Sequence, residues 1–274
     1  MASSEDTVVA VDDRKNPRGT QTTARSIIAG CFSKWRHIAS EFLSTATLVL
    51  MGCMTYVPFE GQSYIYSAFG FGLVVMFNEQ IFGKVSGAHM NPAVTVAAVL
   101  LGYTSVGLGF TYILFQCVGA IAGYAILMAL APLDIASEGV CAAGSAPGVT
   151  VLQTVGYEIA ITTILVLVCC IFLDPEKKYG DAPVVIGLTV TGLSLVASPW
   201  SGAGMNPAVS LGPAVFTGIW TIHWAYWVGP IIGSCFASFI YKFIRLKVFF
   251  MNLKRMRIYK IYSVDINSCS LYPT

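Results

Sequence analysis

Two tripeptides, Asn91-Pro92-Ala93 and Asn206-Pro207-Ala208, stand inside near-identical segments, SGAHMNPAVTV at 86–96 and SGAGMNPAVSL at 201–211. Asparagine offers a two-donor amide and an acceptor oxygen, with nothing to titrate or attack. The chemistry available is therefore hydrogen bonding, not bond making. Asn followed by Pro also suits a helix start, with Asn as N-cap and Pro at the first helical position. A single such tripeptide is ordinarily a plain turn; two in matched contexts are not. Other residues repeat in the same order: Glu41 with Thr45 and Glu158 with Thr162, then Gly119 with Gly123 and Gly229 with Gly233. No nucleophile–base pair, phosphate loop or Cys/His cluster accompanies them, so no enzyme, cofactor or metal is expected.

The elements that must position these residues follow from composition. Of 274 residues, 55% are hydrophobic and 11% charged, and the mean hydropathy is +0.70. Soluble domains carry about 25% charged residues. Thirty charges cannot cover the surface of a soluble protein this size, and a net +2 gives no case for nucleic acid. The chain reads as an all-α membrane protein. Six apolar stretches, near 38–59, 62–82, 104–130, 153–173, 183–200 and 219–244, are each long enough to cross a hydrocarbon core of about 30 Å. The pieces 91–101 and 206–216 reach only half as far, about 16 Å as helix. Residues 1–36 and 246–274 read as tails, the first mobile, around one channel domain at 37–245.

With six spans both termini share a side, and all 16 Lys and Arg fall on it. The connections near 57–63, 131–152 and 201–218 hold none, so the positive-inside rule places both tails in the cytoplasm. Among the cysteines, Cys53, Cys117, Cys169, Cys170 and Cys235 lie in apolar runs and read as small buried hydrophobes. Cys141 alone falls in an external loop, so no disulfide within the chain is expected.

The repeated landmarks divide the chain into two copies of three spans plus a half-helix. Three is odd, so the second copy is inverted and the half-helix N-termini meet near the midplane. Each brings roughly +0.5 of a charge from its unpaired N–H groups. Irregular backbone at that depth is tolerated only where protein buries it or it lines a watery cavity. The approach segments Ser86–Met90 and Ser201–Met205 then present carbonyls, from Gly87, Ala88, His89, Gly202, Ala203 and Gly204, toward a path for small neutral molecules. Helix ends oppose cations. Close crossing of spans is assigned to the glycine pairs. His223, at the start of the sixth span, reads as interfacial.

Both Asn-Pro-Ala motifs, SEFLSTATLVL at 40–50, YILFQCVGA at 112–120 and HWAYWVGPIIG at 223–233 resemble the aquaporin, or major intrinsic protein, family over roughly 37–245. The resemblance implies six tilted helices and two re-entrant half-helices in an inverted repeat, one pore per subunit, a homotetramer and a plasma-membrane site. It makes Glu41 and Glu158 acceptors for loop backbone behind the half-helices. It also maps a narrow filter onto Phe71, Ser194, Ala203 and Val209. Water-selective members typically place His at the 194 position and Arg at the 209 position. Their replacement by Ser and Val widens the filter and makes it more apolar, which suits glycerol or urea as well as water and is closest to insect glycerol-conducting members. Ser210 departs from the Asp of many glycerol channels. Two rivals stand beside this reading: a water channel with little solute flux, and a poorly conducting junctional protein. An ion-coupled transporter would need acids on a path, and only Glu41 and Glu158 offer themselves within the spans.

Overall fold

A computed structural model describes residues 17–60, 62–174 and 180–245, with side chains from residue 34 onward. The tail at 246–274, Lys177 and Lys178 lie outside the described residues. Among the described residues eight helices follow one another: α1 Pro17–Met54, α2 Tyr64–Ser86, α3 Pro92–Leu100, α4 Val106–Leu130, α5 Val151–Leu173, α6 Ala182–Ser201 and α7 Pro207–Thr217, then α8 over Ala225–Arg245. Six of them are long and apolar enough to cross a membrane, with Lys34–Met54 as the spanning part of α1. The short α3 and α7 are the expected half-helices. The first tail differs from expectation, since α1 already begins at Pro17.

Local chemistry sets the helix starts. Asn91 and Asn206 are extended N-caps whose side chains accept from Ala93 N and from Ala208 and Val209 N, with proline following each. These bonds satisfy amides that a helix start leaves without partners. Thr150 and Gln153 form a reciprocal capping box on α5. A glycine in left-handed conformation ends α2 at Gly87 and α6 at Gly202.

Bare glycine faces bring the spans together. A Cβ on Gly119 or Gly123 would run into the carbonyls of Phe42 and Ala46 on α1. On the other side, a Cβ on Gly229 would stand 2.6 Å from Glu158 Cβ, and one on Gly233 2.7 Å from Ile159 O of α5. Gly72 of α2 and Gly187 of α6 back onto one another's carbonyls in the same way. So α1 packs on α4, α5 on α8, and α2 on α6 across the axis relating the two copies. In a bilayer, where apolar surface gives no preference for protein over lipid, this close packing is what holds spans together.

The cysteine expectation is overturned. Cys53 and Cys141 form a disulfide. The reading carried the first span to 59 and so buried Cys53; α1 stops at Met54, leaving Cys53 in its last turn, where the loop 131–150 can reach it. Tyr124 Oη anchors the same loop by donating to Val140 O at 2.8 Å. Cys235 is exposed rather than buried.

Candidate pore

The two half-helices meet tip to tip, and each completes the other. Asn91 Nδ2 donates to Met205 O at 2.9 Å, and Asn206 Nδ2 donates to Met90 O at 2.7 Å. An amide carries two N–H donors, so each Asn keeps one free, and both residues line the central cavity. Pro92, Ala93, Pro207 and Ala208 are buried and do not line it. Their part is to begin the helices, not to touch the lumen.

The approach segments are held in an uncommon conformation. Ala88 (φ 42°), Met90 (50°), Ala203 (54°) and Met205 (50°) are non-glycine residues in the left-handed region, each costing about 1–3 kcal/mol. Two buried carboxylates hold them there. Glu41 accepts from Ser86 Oγ (2.6 Å), His89 N (3.0 Å), Met90 N (2.9 Å) and Gln116 Nε2 (2.8 Å). Glu158 accepts from Ser201 Oγ (2.8 Å), Gly204 N (2.9 Å) and Met205 N (2.7 Å). Charge-assisted bonds to backbone N–H are about twice as strong as neutral ones, which offsets the strain. Tyrosines fix the serines from outside: Tyr112 Oη donates to Ser86 O and Tyr226 Oη to Ser201 O. Gln116 and both tyrosines were not singled out from the sequence, although all three lie inside motifs that were.

One cavity of about 700 Å³ runs through the bundle between the half-helix tips. Phe71, Ser194, Ala203 and Val209 all line it, as do Gly87, Ala88, His89, Gly202 and Gly204. The Phe71 ring is seated by Gly52, where a Cβ would stand 2.6 Å from its Cζ, and by an edge-on contact with Tyr56 at 6.0 Å. The Ser194 hydroxyl makes no hydrogen bond to the protein among the described residues, so it is available to the lumen. His89 Nδ1 lies 3.1 Å from Thr95 Oγ1. That hydroxyl already donates to Asn91 O, so Nδ1 carries the proton and Nε2 is left as an acceptor.

Two further features were missed. Residues 138–143 of the disulfide-tethered loop line the mouth at the Phe71 end. At the other end Glu79, in the middle of α2, lines the cavity. The statement that only Glu41 and Glu158 are acids within the spans is therefore corrected. His223 lies just before α8, where its Nε2 accepts from Trp227 Nε1 at 2.9 Å. Burial pulls its pKa below the ordinary histidine range, in keeping with that acceptor role.

Fold and cavity together define a helical membrane channel built from an inverted repeat. The family model "Major intrinsic protein" matches residues 29–241. The chain is 35% identical over 226 residues to Aquaporin FA-CHIP of Pelophylax lessonae, covering 77% of this chain and 82% of that one. It is 36% identical over 223 residues to human Aquaporin-1, covering 77% and 82%. It is 38% identical over 220 residues to the lens fiber major intrinsic protein of Lithobates pipiens, covering 78% and 82%. The fold matches the X-ray structure of the aquaglyceroporin from Plasmodium falciparum with a TM-score of 0.66 at 22% identity, over 76% of this chain and 93% of that one. The chain belongs to the major intrinsic protein family and is a membrane channel, not an enzyme.

Proposed function

We propose that this channel passes water together with small neutral solutes such as glycerol and urea. The observation that carries the reading is the wall opposite Phe71. Ser194 and Val209 face the lumen, and neither brings a ring or a charged fork. An Arg at 209 would place a fixed cation with five donors there; valine leaves an apolar surface for solute carbons. The free Ser194 hydroxyl and the carbonyls of Gly202, Ala203 and Gly204 supply partners for solute hydroxyls and amides. Phe71, Ser194, Ala203 and Val209 act together as the selectivity filter.

At the midplane a permeant molecule meets the free N–H donors of Asn91 and Asn206 under two converging positive helix ends, which favour acceptor oxygens and oppose cations. Gly87, Ala88 and His89 continue the acceptor path beyond them. Glu41 and Glu158 support this path from behind and take no part in transport. The distribution of Lys and Arg supports a cytoplasmic location for both termini, and the family resemblance supports a plasma-membrane site and assembly as a homotetramer. No nucleic acid, metal or cofactor enters the reading.

Osmotic swelling of vesicles containing the protein tests it, with water, glycerol and urea measured separately. Glycerol and urea enter faster than in empty vesicles. Water flux alone, with solute flux at background, would leave a water-selective channel instead.

A further inference from the structure

The inverted repeat can be followed residue by residue through the lumen. FGLVVMFNE at 71–79 aligns with IGLTVTGLS at 186–194, and the register continues without a gap through SGAHMNPAV and SGAGMNPAV. Gly72 and Gly187, second in each segment, face one another across the axis, so the register is also that of the fold. Under this operation Phe71 corresponds to Ile186, Ser194 to Glu79, Ala203 to Ala88 and Val209 to Val94. All four counterparts line the cavity. A second ring, Ile186, Glu79, Ala88 and Val94, therefore mirrors the first on the other side of the half-helix tips. Three of its members match their partners in chemistry. The fourth replaces a hydroxyl by a carboxyl.

That carboxyl is unlike the other two acids of the spans. Glu41 and Glu158 are fully buried and saturated by donors. Glu79 is half-buried, lies over the bare Cα of Gly83, where a Cβ would stand 2.9 Å from Oε1, and has no hydrogen-bond or cationic partner among the described residues. No Lys or Arg among them lines the cavity. The same cavity wall also carries acceptors: His89 Nε2, left bare by the Nδ1 contact, and the backbone of Gly87 and Ala88. This end of the lumen thus combines a carboxyl group with acceptors and, among the described residues, offers no cationic side chain before Asn91.

We propose that Glu79 and His89 form a cation-binding site in the lumen, for a small planar cation rich in N–H donors, of the guanidinium class. The site rests on the reading of this cavity as the permeation path. A carboxylate takes such a cation through paired charge-assisted hydrogen bonds. The converging helix ends beyond it oppose onward movement, so the cation binds, does not cross, and obstructs water.

Proteoliposomes assayed for osmotic water flux at about pH 8.5, where carboxyl groups are ionised, test this with guanidinium chloride on both sides. Choline chloride serves as the reference, and each protein is compared with its own flux in choline. Guanidinium is titrated to about 0.1 M, because one such contact supports only weak binding. Wild-type flux falls about twofold at the dissociation constant by mass action. Glu79→Asp retains the block, Glu79→Gln loses it, and tetramethylammonium, with the same charge and no N–H donor, has no effect on any of them. Equal block of wild type and Glu79→Gln, or none in a wild type that conducts water, overturns the site. A wild type that conducts no water overturns the channel reading and the site with it.

Discussion

The two ends of the lumen share one backbone plan and differ in their walls. At each end a left-handed approach segment hangs from a buried glutamate and leads to an Asn-capped half-helix. Toward Phe71 the wall is aromatic, hydroxyl and aliphatic, and the loop that Cys141 ties down lines its mouth. Toward Glu79 it carries a carboxyl and an imidazole. What duplication preserved most closely is the strained backbone and its supports; the sharpest change along the wall is the hydroxyl of Ser194 against the carboxyl of Glu79. The supports differ in one respect as well. Glu41 receives a Gln116 amide, whereas at the matching position of α8 Tyr226 reaches past Glu158 to the Ser201 carbonyl.

That difference can be pressed hardest at the glutamates. Glu158→Ala strands three donors and Glu41→Ala four, each worth about 1–3 kcal/mol when buried without a partner. Both variants lose most of the folded channel in detergent, and Glu41→Ala is the more damaging by thermal unfolding. Equal losses would show that Gln116 adds nothing to the first support. Removing the tether at the Phe71 end by Cys53→Ser is smaller, about 2–4 kcal/mol. It appears as a lower unfolding temperature, with the same shift on reducing the wild type and none on reducing the variant.

The filter substitutions act on selectivity rather than folding. Ser194→His with Val209→Arg lowers the glycerol-to-water flux ratio about tenfold, the equivalent of ~1.4 kcal/mol. A ratio that stays put in vesicle swelling means that the constriction lies elsewhere. The smallest effect belongs to His223. Because its folded pKa lies below the ordinary value near 6.5, the unfolded chain binds the proton first. Stability is full above that value and falls slightly as pH drops through it toward the folded pKa, since the ring is only partly buried. His223→Gln flattens this part of the pH–stability curve.

Much of this arrangement was readable in the residues, and the reason is the duplication. Asn91, Asn206, Glu41, Glu158 and the glycine pairs each occur twice in matching order, so the repeat tells them from chance. Phe71, Ser194, Ala203 and Val209 came instead from counting outward along a family pattern, and all four line the cavity. Glu79 escaped because it has no repeated twin, its counterpart being a serine. Carrying the repeat through from Gly72 and Gly187 would have reached it. Cys53 was misread because hydropathy does not mark where a helix ends: Thr55 to Phe59 are apolar enough to prolong a span, yet the helix stops at Met54 and Cys53 bonds to a loop cysteine 88 residues away. Gln116 was hidden by its surroundings, one polar residue in an apolar run whose partner lies on another helix.

The crossed bonds from Asn91 to Met205 O and from Asn206 to Met90 O have a consequence for biosynthesis. When the first half has been inserted, the carbonyl that Asn91 needs has not yet been translated, and nothing fixes the tip of α3. A through-path can therefore close into shape only after α7 has entered from the opposite face, near the end of translation. Until then the membrane is crossed by helices but not breached. The same lock that aligns the two tips also keeps the nascent protein from becoming a leak.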